Sequence, residues 1–259
     1  MNSRLLTAVI PIHNAQGKTS RLREAIQKYG EMDYVLVFDS CNDQTLDDFE
    51  EFLNNPDRKN VKFLTGNYGS PGSARNAGLE SVESEWVVFW DADDVPHPNV
   101  LHEEVQNVDQ NRIDLIVTQF STFKFNELSR TSSASTTKTK LGLVVNPGLW
   151  RIVFKTRQAK KRPFRTFRMG EDQLFLAEYL TFNPRIHFSS KETYLYAQEV
   201  PGQLTGDKNA ISDLSLTLKS VLKLISASKS NRFFLVVMAS RQFATVAKNF
   251  SWNQWLAKR

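Results

Sequence analysis

One apolar run in this chain ends directly in acidic residues, and that pattern restricts the fold. Residues 86–90 read Trp-Val-Val-Phe-Trp, and Asp91, Asp93 and Asp94 follow within four positions. Five apolar residues without alternation indicate a strand that is covered on both faces, as in the middle of a parallel sheet. Because ligands of open α/β sheets bind beyond the carboxyl ends of the strands, we expect Asp91 and Asp93 at a binding site.

The same carboxylates predict a bound cation. Two carboxylates about 4 Å apart, at an effective dielectric constant of about 20, repel each other by about 4 kcal/mol, which is a large fraction of a domain's stability. A divalent metal ion with a phosphorylated substrate removes that repulsion, since Mg²⁺-type sites combine one or two carboxylates with substrate phosphates. A solvated acidic turn before the next helix is the alternative, and the spacing alone does not choose between them.

Composition is that of a soluble globular protein, with 41% hydrophobic and 24% charged residues in a chain of 259. The sequence has no apolar run long enough for a membrane span and no secretory leader pattern. Its single cysteine, Cys41, fits a reducing compartment, so we expect a cytoplasmic protein. The net charge of +5 indicates anionic partners without choosing among nucleotides, lipids and nucleic acids.

Short apolar runs alternate with amphipathic segments through the first half of the chain, which is typical of βαβ units and a parallel sheet. The predicted strands are Leu5–Ile12, Tyr34–Asp39, Val61–Thr65, Trp86–Trp90 and Ile113–Thr118. Ser70 followed by Pro71 predicts the start of a helix. The small residues Ala74, Ala77 and Gly78 would let that helix lie close to the sheet.

Three later segments have a distinct character. Residues 129–137 are too polar to pack, so we predict a mobile loop or the tip of a hairpin. Residues 155–168 carry seven basic side chains and no acidic one, which fits either a solvated surface or a clamp for a donor diphosphate or an acceptor phosphate. The last fifty residues predict helices whose basic residues accompany Trp252 and Trp255, so peripheral membrane contact is a further hypothesis.

Five elements, taken in order, resemble glycosyltransferase family 2: residues 9–14, the strand end at Asp39, residues 72–78, residues 91–94, and Gly170-Glu171-Asp172. The resemblance implies a GT-A type α/β fold, with a mostly parallel central sheet flanked by helices. It divides the chain into a Rossmann-like nucleotide-binding half (1–118), an acceptor-binding half (119–205) and a C-terminal helical extension (206–259). It also implies a nucleotide-sugar donor, a divalent metal ion (Mn²⁺ or Mg²⁺) and inversion at the anomeric carbon.

For the donor, the resemblance implies a nucleotide site made of residues from several strand ends. Pro11 and His13 correspond to positions beside the nucleobase, where the family usually has tyrosine in place of His13. Asp39 corresponds to the carboxylate that receives the base or ribose, Arg75 to the basic residue beneath the nucleotide, and Asp91 to the residue that faces the ribose or metal. The expected donor is a UDP-sugar. The family often has Asp-Asp-Gly-Ser where this chain has Phe-Asp-Ser-Cys at residues 38–41, so one carboxylate and the glycine of the nucleobase site are missing here.

For metal and catalysis, the resemblance implies that Asp93, with Asp91, holds the metal that bridges the diphosphate. Asp94 is a supporting charge or a helix cap. Asp172 corresponds to the general base that takes the proton from the acceptor hydroxyl, with Glu171 in support. An acidic first helical turn without any chemistry is the alternative for this pair.

Three positions bear on how that site is completed. His97 and His187 are the candidates for a third metal ligand. Residues 203–205 match a loop that covers the donor in related enzymes.

The predicted function is transfer of one sugar at a time to a glycan or lipid-linked acceptor on the inner face of a membrane, in surface polysaccharide biosynthesis. Nucleic acid is not an expected partner, because an acidic crevice repels a phosphate backbone. A non-catalytic module that binds nucleotide sugars is the main alternative. A haloacid-dehalogenase-type phosphatase is a weaker one, since its nucleophilic aspartate should follow the first strand rather than the fourth.

Overall fold

The computed structural model describes residues 4–55, 58–127, 129–132, 136–201, 210–228 and 230–256, without the side chains of residues 51, 53, 210–212 and 248–256. Its strands are β1 (Leu6–Ile12), β2 (Asp33–Asp39), β3 (Val61–Gly66), β4 (Trp86–Phe89), β5 (Val95–Pro96), β6 (Leu115–Lys124), β7 (Ile152–Lys155) and β8 (Ile186–Gln198). Its helices are α1 (Ser20–Lys28), α2 (Glu50–Leu53), α3 (Pro71–Glu80), α4 (Pro98–Asn107), α5 (Lys140–Val145), α6 (Thr156–Ala159), α7 (Glu171–Leu180), α8 (Ala210–Ala227) and α9 (Arg232–Leu256).

Within these ranges the strands form a single mixed sheet in the order β3-β2-β1-β4-β7-β6-β8-β5. Strands β1 to β4 pair in parallel, which confirms the prediction for the first half of the chain. β7 is antiparallel to both β4 and β6, and it lies between them. The fifth predicted strand is therefore not a direct neighbour of β4, and it continues as β6 to Lys124.

Side chains of β4 are buried on both faces of the sheet, as the uninterrupted apolar run predicts. Val87 and Phe89 belong to the core under α3 and α7, whereas Trp86, Val88 and Trp90 belong to the core on the opposite face. All five are at most 1% exposed. The strand is therefore rigidly placed, and the acidic turn after it begins at a fixed point.

Helix α3 starts and packs as predicted. Ser70 caps it by accepting a hydrogen bond from the Ser73 amide at 3.2 Å. Gly78 faces β1 and β2 so closely that a Cβ there would overlap Val9 and lie 3.0 Å from Val37. Close approach of this helix brings the first turn of α3 next to the strand ends.

The polar tract after β6 begins as a hairpin tip, since Phe123 bridges to Arg130 in antiparallel fashion. Its far end packs, contrary to the prediction for residues 129–137. Thr137 is buried, and its backbone exchanges two hydrogen bonds with the side chain of Gln119 at 2.8 and 3.0 Å. The hydroxyl of Thr137 also accepts a hydrogen bond from buried Arg151. Polar residues pack here because polar partners from β6 and the turn before β7 meet them.

Helices α8 and α9 share the core of the preceding part of the chain. Val221, Leu235 and Met238 are at most 1% exposed and join the core cluster that contains α7. The predicted boundary near residue 205 lies in 202–209, outside the described residues, as does the predicted loop at 203–205. No helix in the described ranges is long and apolar enough to cross a membrane.

Adding one methyl group at Gly78 should destabilise the protein. Overpacking a buried contact costs about 1–3 kcal/mol, whereas the gain in helix propensity from glycine to alanine is at most about 1 kcal/mol. We expect Gly78→Ala to lower the free energy of unfolding by about 1–2 kcal/mol, measured as a shift of the urea midpoint. Gly30→Ala is the control, because no atom lies within 4 Å of a Cβ at Gly30. Equal midpoints for both variants would contradict the close approach of α3.

Candidate active site

A cleft of about 820 Å³ opens at the carboxyl ends of β1, β2 and β4. Its walls come from the loops after these strands, the first turn of α3, the start of α7 and the segments 149–150 and 196–201. Eight predicted site residues line it: Pro11, His13, Asp39, Arg75, Asp91, Asp93, Glu171 and Asp172. Asp94, the ninth, is not among the lining residues. The fold thus brings together residues that are up to 161 positions apart in sequence.

At the β2 end of the cleft, Asp39 organises two loops. Its Oδ1 accepts hydrogen bonds from the backbone amides of Tyr68 and Gly69 at 2.7 and 3.2 Å and from the Ser40 hydroxyl at 3.1 Å. Its backbone carbonyl lies 2.6 Å from Nδ1 of the exposed His13. No donor among the described residues reaches Oδ2 of Asp39, so one carboxylate oxygen remains available to a ligand.

The acidic turn after β4 places its three carboxylates in different environments. Asp91 and Asp93 are half-buried and line the cleft. Asp94 points away from it and is 1% exposed, accepting hydrogen bonds from the Tyr194 hydroxyl at 2.7 Å and the Ala197 amide at 2.6 Å. Burial, with the charges of Asp93 and Asp91, raises the pKa of Asp94 well above its ordinary value. Asp94 therefore joins the turn to β8.

Arg75 connects the acidic turn after β4 with the start of α7. Its guanidinium donates hydrogen bonds to Asp91 and to Glu171, both at 2.8 Å. The Arg75 side chain is 8% exposed. Burial alone would lower the pKa of Arg75, but the charges of Asp91, Glu171 and Asp172 raise it above its ordinary value, so Arg75 stays protonated. Its Nε is buried without a hydrogen-bond partner in the described part of the chain.

Glu171 and Asp172 occupy the first turn of α7, and their environments differ. Burial and the nearby Asp172 raise the pKa of Glu171 to about 7, although Arg75 opposes this shift. Burial also raises the pKa of Asp172, again against the effect of Arg75. Glu171 is occupied by its ion pair with Arg75. Asp172 is half-buried, and its carboxylate accepts the amide of Gln173 at 2.7 Å, with no ion pair to a described residue. Asp172 is therefore the member of the pair that can receive a proton from a ligand.

Gly170 sets the direction in which α7 begins. It has φ of +82°, a left-handed conformation that glycine adopts without strain. A Cβ at this position would lie 2.8 Å from Oγ1 of Thr217 on α8. The hydroxyl of Thr217 also donates to the carbonyl of Met169 at 3.2 Å. Helix α8 thus packs against the backbone that presents the Glu171–Asp172 pair.

The donor set at the turn suits a hard divalent cation that also binds phosphate oxygens. Two carboxylates, Asp91 and Asp93, face the cleft, and one oxygen of Asp91 already accepts Arg75. This is the usual number of protein ligands when a diphosphate supplies the remaining oxygens. No cluster of three or more metal-ligating side chains occurs among the described residues.

Neither predicted third ligand lies in the cleft. His97 lines a separate cavity near Arg130 and Glu192. His187 lies 2.9 Å from Glu104, with which it pairs at the start of β8. Both histidines contact residues that are distant in sequence, His187 with Glu104 and His97 with Thr193. Such contacts cannot be predicted from the positions of the histidines in the sequence.

Two aromatic residues of the cleft escaped the sequence analysis. Trp150 and Tyr196 line it, and their rings stack at 5.4 Å with an angle of 17°. The ring of Tyr194 also stacks on that of Trp150, with 4.7 Å between the ring centroids. The alternation of Tyr194 and Tyr196 is a strand signature that could have indicated β8, but nothing local assigns Trp150 to the cleft.

Most of the basic segment 155–168 is bound to the protein itself. Lys155 pairs with Glu85, Lys160 donates to the carbonyls of Glu80 and Val82, Arg162 lies over the Phe182 ring, and Arg165 pairs with Glu178. Arg168 alone of the seven lines the cleft among the residues described there. The seven basic residues therefore do not form a single clamp at the cleft.

Comparison with protein families matches residues 7–180 to glycosyl transferase family 2. Among curated proteins, the chain is 26% identical over 209 residues to the poly(ribitol-phosphate) β-N-acetylglucosaminyltransferase TarS of Staphylococcus aureus, covering 76% of this chain and 36% of TarS. It is 24% identical over 242 residues to TarP of the same species, covering 86% of this chain and 72% of TarP. The chain thus spans little more than a third of the length of TarS.

Solved structures show the same fold. Residues 1–349 of S. aureus TarS in complex with UDP-GlcNAc superpose with a TM-score of 0.73 at 20% identity, covering 92% of this chain and 72% of that one. The mannosyltransferase PcManGT from Pyrobaculum calidifontis, in complex with GDP-Man and Mn²⁺, superposes with a TM-score of 0.66 at 14% identity, covering 99% and 81%. The fold is therefore the predicted GT-A type. With two thirds of its length matched, this chain belongs to glycosyl transferase family 2.

Proposed function

We propose that this protein is a metal-dependent, inverting glycosyltransferase that moves one sugar from a UDP-sugar to a hydroxyl of a glycan or lipid-linked acceptor. The observation that carries the proposal is the Arg75 bridge, which holds Asp91 of the metal-binding turn and Glu171, next to the base, at one cleft. The complexes of TarS with UDP-GlcNAc and UDP support a UDP-sugar. The succinoglycan biosynthesis protein ExoO of Rhizobium meliloti, 22% identical over 210 residues, supports a role in polysaccharide biosynthesis.

Donor binding uses the β1 and β2 ends of the cleft. The free oxygen of Asp39 can accept an N–H of the nucleobase, and the exposed ring of His13, anchored on the Asp39 carbonyl, offers a face for stacking. Trp150 and Tyr196 line the cleft and supply aromatic surface that a bound sugar can contact. Asp91 and Asp93 would hold Mn²⁺ or Mg²⁺, which when bound neutralises the charge that develops on the departing diphosphate.

Transfer then needs one base. Asp172 takes the proton of the acceptor hydroxyl as its oxygen forms a bond to the anomeric carbon and the bond to the diphosphate breaks. Inversion follows when the acceptor attacks from the side opposite to the diphosphate, with no covalent intermediate. Arg75 contributes by keeping Glu171 and Asp91 in place, so that Asp172 and the metal-binding turn stay in fixed relative positions.

The two alternatives differ in how well the geometry supports them. A haloacid-dehalogenase-type phosphatase needs its aspartate after the first strand, whereas Asp91 follows β4, the fourth strand along the chain. A non-catalytic module would bind a nucleotide sugar in the same cleft and would not use Asp172 as a base. A measurement of sugar transfer therefore distinguishes it from the proposed enzyme.

We assign the activity to the cytoplasm, where nucleotide sugars are available.

Replacing the base should remove turnover and leave donor binding intact. General-base catalysis contributes a factor of about 10² to 10⁴, so Asp172→Asn should lower the rate of UDP release from UDP-GlcNAc by that factor without changing UDP affinity. Because the base works deprotonated and burial raises its pKa, the wild-type rate should fall on the acidic side at a pH above the ordinary carboxylate range. Glu83→Gln, at an exposed position, is the control. An active Asp172→Asn variant would mean that the base is another group.

Adjacent carboxylates of the acidic turn should respond differently to the same substitution. Asp93→Asn should weaken Mn²⁺-dependent UDP binding by at least about tenfold, since a charge-assisted contact contributes about 1.5–3 kcal/mol. Asp94→Asn should leave that binding unchanged, because Asp94 points to Tyr194 and Ala197 rather than to the cleft. Calorimetric titration of UDP with and without Mn²⁺ measures both. Equal losses in the two variants would remove Asp93 from the metal site.

We also propose peripheral contact of α8 and α9 with an anionic membrane. Phe233, Val236 and Phe243 lie along one side of α9 and are 63%, 45% and 63% exposed. No acidic residue follows Asp213 in the sequence. The exposed basic residues of these helices are Lys219, Lys223, Arg232 and Arg241. Apolar side chains surrounded by positive charge are complementary to anionic lipid head groups and the acyl boundary beneath them.

Removing the two exposed phenylalanines should weaken this contact. Burying a phenylalanine side chain contributes about 1.5–3 kcal/mol, so Phe233→Ser with Phe243→Ser should reduce binding to phosphatidylglycerol vesicles by about tenfold or more in sedimentation assays. Leu46→Ser is the control, since Leu46 is 36% exposed on another part of the surface. Equal sedimentation of the double variant and the wild type would contradict the proposal, as would equal binding to phosphatidylcholine vesicles.

A further inference from the structure

Arg168 differs from the other cations of the cleft in having a side chain without a polar partner among the described residues. Three Lys or Arg residues line the cleft in the described ranges: Lys18, Arg75 and Arg168. Arg75 is buried between two carboxylates, and the Lys18 ammonium donates to the carbonyl of Pro201 at 2.8 Å. Arg168 is exposed, and its guanidinium has neither an ion-pair nor a hydrogen-bond partner among the described residues.

The backbone of Arg168 is fixed beside the base. Its amide donates to the carboxylate of Asp213 on α8 at 2.7 Å. The next residues, Met169 and Gly170, pack against Thr217 of the same helix. Asp172 follows four positions after Arg168. The guanidinium therefore starts from the rim that carries the base, where the acceptor hydroxyl must lie.

We infer that Arg168 binds an anionic group of the acceptor, a phosphate or a carboxylate close to the hydroxyl that attacks the sugar. The inference rests on the proposed glycosyl transfer and names the class of acceptor: an anionic glycan chain rather than a neutral one. An arginine without a protein partner matches the planar oxygens of phosphate and carboxylate with two parallel hydrogen bonds. No hydroxyl of a neutral sugar requires a full positive charge at this position.

Position assigns Arg168 to the acceptor rather than to the donor. Asp91 and Asp93, which would hold the metal ion beside the donor diphosphate, follow β4, whereas Arg168 lies four positions before Asp172 at the start of α7. No acidic residue lies between Glu127 and Glu171 in the sequence, although Glu85 and Glu178 pair with Lys155 and Arg165 of this stretch. The exposed Arg157 and Lys161 belong to this stretch. A chain with repeated negative charges would be attracted along this surface.

Binding to the 259-residue chain loaded with UDP and Mn²⁺ tests the inference. The probes are a short poly(glycerol phosphate) oligomer and neutral maltohexaose. The wild type should bind the phosphate oligomer at least about tenfold more tightly than maltohexaose, since a charge-assisted hydrogen bond to phosphate is stronger than a neutral one to a sugar hydroxyl. Arg168→Gln should remove that preference, and Arg168→Lys should retain part of it. The matched control Arg157→Gln, an exposed arginine of the same basic stretch outside the cleft, should keep it.

The outcomes separate this inference from the proposed function. If the wild type shows no preference for the phosphate oligomer, or if Arg168→Gln retains the preference, the inference is wrong. If Arg168→Gln weakens UDP binding and leaves the oligomer affinity unchanged, Arg168 serves the donor and the inference is again wrong. If the wild type does not bind UDP with Mn²⁺ at all, the proposed function itself fails. Thermal unfolding of Arg168→Gln should match the wild type, because the bond to Asp213 uses the backbone amide.

Discussion

The geometry of the cleft depends on one buried guanidinium between two carboxylates. Arg75 joins Asp91 to Glu171, and each contact is 2.8 Å long. Without this positive charge, two loops that carry several carboxylates would face each other across a partly dehydrated space. Removing one partner of a buried ion pair costs about 3–5 kcal/mol, because the remaining charge stays buried without compensation. The bridge therefore permits an acidic site to exist before any cation or substrate binds.

Contacts of Gly72 and Asn76 position the helix that carries Arg75. Gly72 allows the first turn of α3 to approach the backbone of Arg165, where a Cβ would overlap the carbonyl. Asn76, one position after Arg75, binds the backbone of Phe164 in both directions, at 2.8 and 2.9 Å. The ring of Phe164 in turn stacks on Phe175 of α7 at 4.1 Å. The helix that carries Arg75 and the helix that follows Glu171 are thus fixed to each other by contacts that are independent of the ion pairs.

Local patterns could predict the strand ends but not how distant segments meet. The apolar run before Asp91 predicts a strand that is buried on two faces, and Ser70 followed by Pro71 predicts the start of a helix. Both patterns lie within a few consecutive residues, so the sequence reveals them. β7 is four residues long and depends on both of its neighbours, so no local pattern places it between β4 and β6. The position of Trp150 in the cleft follows from that insertion. Which carboxylate each basic residue meets is likewise a property of the tertiary structure.

The positions and partners of the charged residues say more about this protein's ligands than its net charge does. A net charge of +5 suggests a general attraction to anions, yet most cations of the segment 155–168 bind carboxylates, carbonyls or an aromatic ring of the protein. Such contacts fix the segment to the body of the fold, and carboxylates neutralise the charges of Lys155 and Arg165. What remains is a cleft lined by the carboxylates of Asp91, Asp93 and Asp172, with Arg168 at the start of α7 and no polar partner for its guanidinium among the described residues. Carboxylates on both sides of the cleft favour a cationic ligand between them, whereas the guanidinium of Arg168 at the edge of the same cleft favours an anionic one.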